Sequence, residues 1–145
     1  MQDNPIMVFE NIEQAYECLD WWKSKLHLEH WVIHLAIIPY FESPLDSTYM
    51  GKCISDHVNN CGMIYLASHE TLSENCIMTL CDEKVLVHEL LHLRYPSIVD
   101  STNYASAYMD IEEHRKIEEL AKSLIMVKYD LPFSWFDRDY PERKE

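Results

Sequence analysis

Glycine is almost missing from this chain: Gly51 and Gly62 are the only two among 145 residues. Neither G-x-x-x-x-G-K nor G-x-G-x-x-G occurs, so nucleotide binding through a glycine-rich phosphate loop is excluded. Basic residues are also few, 12 against 25 acidic, for a formal net charge of −13. A surface of that sign repels phosphate backbones, so no nucleic acid is expected as a partner. The five cysteines, Cys18, Cys53, Cys61, Cys76 and Cys81, are odd in number and contain no C-x-x-C. Neither a zinc knuckle nor a complete disulfide framework is signalled, and free thiols in a reducing compartment are expected. The longest apolar stretch, WVIHLAIIPYF at residues 31–41, is too short to span a bilayer. The opening MQDNPIMVFENIEQ has no basic segment followed by an apolar one. A cytoplasmic protein without a membrane partner is the expectation.

What is present is globular. Hydrophobic residues make up 48% of the chain, with four Trp, nine Tyr and four Phe, enough to bury a core in one domain, residues 1–145. Ile12, Ala15, Leu19, Trp22 and Leu26 recur at helical spacing behind an Asn11/Gln14 capping pair. WVIHLAIIPY, rich in β-branched and aromatic residues, reads as a buried strand ended by Pro39. KCISDHV and MIYLAS read as two strands joined by a turn at residues 59–62. Asp82 is the N-cap candidate of a helix that Pro96 ends, and a long helix follows over 104–128, with caps offered at Ser101, Thr102 and Asn103. An aromatic tail, residues 129–145, should pack back on the body. The expected class is α+β: an N-terminal helix, a small three-stranded sheet and two helices.

The chemistry concentrates in VLVHELLHLRYP, residues 85–96. His88 and His92, at i and i+4, share a helix face and can both give a nitrogen to one metal at about 2.0–2.1 Å. Glu89 is rotated away from them, where it can act as general base on a metal-activated water. Chance would place H-E-x-x-H in about 4 of every hundred shuffled chains of this composition, so context must decide. Val85, Leu86, Val87, Leu90, Leu91 and Leu93 make the helix apolar nearly all round. Burying two imidazoles and a carboxylate there is costly without partners, and ligation removes that cost.

A catalytic zinc usually takes a third protein ligand. Tyr95 and Ile98 stand where H-E-x-x-H-x-x-G-x-x-H needs Gly and His, which excludes a metzincin. The following helix has an apolar face of Ile117, Leu120, Ala121 and Leu124, with Asp110, Glu113 and His114 on or beside it. Arg115, Lys116 and Glu119 point outward. Amphipathicity leaves Glu113 and His114 both open as ligands.

VHELLHLRYP followed by EEHRKIEELAKSL resembles the small H-E-x-x-H zinc metallopeptidases of phages and mobile elements, minimal gluzincin-like zincins. The resemblance covers residues 85–125. It implies a zinc-dependent peptidase with a protein or peptide substrate and Zn²⁺ held by His88, His92 and a third ligand ahead of Leu120 and Ala121. In many relatives that ligand is Glu; here His114 occupies the matching place, with Glu113 as the alternative. Glu118, four residues beyond His114, is expected to brace that imidazole from behind. Tyr104 and Tyr108 are candidate oxyanion donors. The resemblance also implies an extended peptide paired along Met63–Ala67 as an edge strand. The rival class is a non-enzymatic acidic protein that sequesters a basic partner and holds zinc structurally.

Overall fold

The computed structural model describes residues 4–40, 45, 50–71, 81–96, 104–132 and 134–136, the first six residues of the last helix by their backbone alone. Its elements run α1 (Ile12–Lys25), β1 (Val32–Ile38), β2 (Gly51–Asp56), β3 (Cys61–Ala67), a short 3-10 turn (His69–Thr71), α2 (Asp82–Arg94) and α3 (Tyr104–Tyr129). The arrangement is α+β, as the hydrophobic patterning predicts.

The start of α1 follows local rules. Asn11 Oδ1 accepts the Gln14 N–H at 2.8 Å, and Gln14 Oε1 accepts the Glu10 N–H at 2.7 Å. The helix buries Ala15, Cys18, Leu19 and Trp22.

The sheet order is β1-β3-β2, with β1 parallel and β2 antiparallel to β3. Three expectations change here. The strand of residues 61–67 is central, so it has no free edge on which to pair a peptide; β2 takes the outer position. β1 is not buried on both sides: Ile33 and Leu35 point into the core while Val32 and His34 are exposed. Apolar residues on both faces suggest a covered strand, but the described helices α1 and α2 pack on the face that carries Ile33 and Leu35. The β2–β3 turn is also earlier than expected, at residues 57–60, with Asn60 in the left-handed region and Cys61 already paired in β3.

α2 is the central helix, packed against β2, β3, α1 and α3 at once. That explains a sequence apolar nearly all round: every residue from Asp82 to Leu93 except the two histidines is buried. Its N-terminus departs from expectation. Cys81, not Asp82, is the N-cap; its side chain makes no capping bond, and its thiol donates to the Ile6 carbonyl at 3.7 Å instead. The Asp82 and Glu83 N–H groups instead donate to the Met7 and Ile6 carbonyls at 2.9 and 3.0 Å. A segment distant in sequence therefore caps the helix, and a capping preference read from neighbours could not include it. The Asp82 carboxylate accepts the Phe9 N–H at 2.9 Å and meets His69 Nε2 at 2.6 Å.

Glu83, fully buried, ties four segments together. Oε1 accepts the Ile6 N–H at 3.0 Å and the Tyr129 hydroxyl at 2.5 Å. Oε2 accepts Trp22 Nε1–H at 2.8 Å and Lys128 Nζ at 2.6 Å. On α3, Ile117, Ala121 and Ile125 are the buried residues, whereas Leu120, expected inward, is 39% exposed. Trp135 and Phe136 return to the core as expected of the tail; Phe133, Tyr140 and the proposed caps at 101–103 lie outside the described residues.

Candidate metal centre

Each turn of α2 presents one residue toward α3: Lys84, His88 and His92, at i, i+4 and i+8. α3 presents Asp110, His114 and Glu118 at the same spacing. The helices run antiparallel, so these stripes meet rung by rung. Across the pair, Lys84 Nζ lies 3.1 Å from Glu118 Oε2 and His88 Nδ1 lies 3.5 Å from Glu118 Oε1; along α3 itself, His114 Nε2 lies 3.7 Å from Asp110 Oδ1. The ring centroid separations are 5.0 Å for His88–His92, 4.8 Å for His92–His114 and 6.2 Å for His88–His114.

His88, His92 and His114 each offer a ligand atom, all within 4.8 Å of one another, so the three could hold a metal ion. A common ion at about 2.0–2.1 Å from each nitrogen requires a modest closing of the rings. Burial first, then the neighbouring His88 and His114, push the His92 imidazole down to about 4. It is therefore neutral near pH 7, with a lone pair to donate. Glu113 is not part of the cluster.

Glu118 differs from expectation. Its carboxylate turns across to α2 and faces His88 rather than bracing His114, one turn away on its own helix. Burial would raise its pKa, but His88 and Lys84 beside it hold it at about 2. Oε1 is nevertheless a buried acceptor without a hydrogen bond, since 3.5 Å exceeds an N–H···O bond. An orphaned carboxylate oxygen aimed at the back of an imidazole fits a ring that turns slightly when it takes a metal.

Glu89 is buried on the flank of α2 facing β2. Burial raises its carboxyl, His88 and Lys84 oppose that and Glu118 adds to it, and the result is a pKa of about 7. Such a group can both take and return a proton near neutrality. Burial likewise pushes the Cys53 thiol on β2 up to about 12, with the Glu89 carboxylate adding to the rise.

β2 approaches Glu89 closely at Gly51. A Cβ there would stand 2.6 Å from Val85 Cγ1 and 3.3 Å from Glu89 Cγ. Gly51→Ala is therefore expected to destabilise the fold by about 1–3 kcal/mol through overpacking, with Val85→Ala in the same chain recovering part of the loss. Urea unfolding of both variants measures this; an unchanged midpoint for Gly51→Ala would contradict the packing.

The remaining histidines are elsewhere. His27, His30, His34 and His57 are exposed, with His57 edge-on to Trp31 at 5.1 Å, and His69 pairs with Asp82. Tyr104 and Tyr108 fall on α3, but their side chains lie outside the described residues. Among the described cysteines, Cys18 and Cys81 are buried, Cys53 is half-buried and Cys61 exposed, all as free thiols. No described helix is long and apolar enough to cross a membrane. Lys84 was not among the residues singled out from the sequence, though its spacing from His88 and His92 was the signal that could have found it. No family model, curated protein or solved structure matches this chain.

Proposed function

We propose that this chain is a zinc-dependent peptidase of minimal zincin type. The observation that carries the reading is the convergence of three imidazoles from two helices, with the buried carboxylate of Glu89 on the adjoining flank of α2. His88, His92 and His114 would hold the ion, leaving a fourth position for solvent or substrate, the usual arrangement at a catalytic zinc. Zinc bound there supplies a Lewis acid that polarises a carbonyl and acidifies water. A Glu89 oxygen accepts the proton of the attacking water and returns it to the leaving amine. β2 supports the reading further. Among the described residues its outer edge pairs with no strand, and it starts at Gly51, beside Glu89. An extended peptide could add there by main-chain hydrogen bonds.

The test is Glu89→Gln. The amide keeps the shape but cannot take the proton, so zinc content should be unchanged while cleavage of a peptide library, read by mass spectrometry, falls ~10²–10⁴-fold. Cleavage at the parent rate would remove Glu89 from the chemistry. A zinc-loaded parent that cleaves nothing would favour the acidic binding protein with structural zinc.

A further inference from the structure

Lys84 is an unexpected neighbour for a cation site. It is buried, one turn ahead of His88 on the same stripe of α2, and a bare ammonium there would repel a metal ion. Its contact explains its presence. Lys84 Nζ donates to Glu118 Oε2 at 3.1 Å, and Oε1 of the same carboxylate is the buried, unbonded oxygen 3.5 Å from His88 Nδ1. The lysine grips one oxygen and leaves the other facing the imidazole.

Resting on the metal reading above, we infer that Lys84 is a positioning residue of the metal centre. It fixes Glu118 so that Oε1 receives the Nδ1–H of His88, which leaves His88 Nε2 as the atom given to the ion. Two effects of Lys84 have opposite sign. As a bare charge it weakens cation binding, so its removal would tighten zinc. As the anchor of Glu118 it strengthens binding, so its removal loosens zinc. Lys84 and Glu118 carry opposite charges and largely cancel at the ion, whereas losing the carboxylate behind a ligating histidine typically costs ~10–100-fold in affinity. Positioning therefore prevails.

The experiment is chelator competition for zinc on the full chain, for Lys84→Met, Glu118→Gln and the two combined. Lys84→Met should weaken zinc ~10–100-fold. In the Glu118→Gln background it should cause no further weakening, because its route to His88 is already cut, and loss of the now uncompensated ammonium should if anything tighten zinc. Should Lys84→Met fail to fold by circular dichroism, the double variant, which leaves no unpaired buried carboxylate, is compared with Glu118→Gln directly. Unchanged or tighter zinc in Lys84→Met, or a double variant weaker than Glu118→Gln by the full single effect, overturns the positioning role. If that happens while His88→Ala/His92→Ala still abolishes binding, the metal centre stands and only the role of Lys84 falls. A parent that binds no zinc overturns both.

Discussion

Protein purified without added metal and without a polyhistidine tag should carry about one zinc per chain, and the His88→Ala/His92→Ala variant should carry none. The two imidazoles stand one turn apart on the same stripe of α2, and His114 completes with them a group whose ligand atoms all lie within 4.8 Å of one another. One remaining imidazole on a helix face offers a single nitrogen and no chelate, so affinity should fall by several orders of magnitude rather than by a factor of a few. Elemental analysis by mass spectrometry measures this directly. Full occupancy in the double variant would locate the metal elsewhere and remove the basis of the peptidase reading. Because His88 and His92 are only half-buried, their truncation should leave the fold standing, which circular dichroism checks in the same samples.

The second large effect belongs to Glu83, far from that chemistry. Glu83→Gln keeps the volume but removes the charge opposite Lys128, and an amide nitrogen cannot accept from donors that now meet two carboxylate oxygens. Breaking a buried pair at one partner typically costs about 3–5 kcal/mol, a large part of the roughly 5–15 kcal/mol that holds a domain folded. The pH dependence has a definite sign. Burial raises the Glu83 carboxyl, but donation from Lys128, Tyr129, Ile6 and Trp22 outweighs it and holds the folded pKa below the ordinary 4.5. A depressed folded pKa contributes stability that is complete above 4.5 and is lost as the pH falls through the lower folded value. The gap in unfolding free energy between parent and Glu83→Gln should therefore be widest near pH 7 and narrow below pH 4.5. Urea titrations at a series of pH values read it; a gap independent of pH would mean that the carboxylate charge does not matter.

The sequence by itself determined the elements and the chemistry that depends on local spacing. Helical periodicity marked α1 and α3, and the i, i+4 rule put His88 and His92 on one face with Glu89 off it, because side-chain direction along a helix is a property of the backbone alone. The same rule held in latent form for Lys84 and for the Asp110, His114 and Glu118 stripe. It could not say which residues of one stripe would meet which of the other, since that depends on how α2 and α3 slide past each other. Only the tertiary structure decided that Glu118 faces His88 across the helix pair instead of His114 along its own. Only it decided that β3 is the central strand and that β2 lies outside it among the described residues, because strand order follows from long-range pairing on which local propensity is silent. The cap of α2 is the clearest case. Asp82 had the right chemistry for an N-cap, yet residues 6 and 7 satisfied the helix amides first, and its carboxylate was left to bind Phe9 and His69. Local preferences of about a kilocalorie per mole set what a segment can do; the packing of distant segments, summed over the whole core, selects among those options.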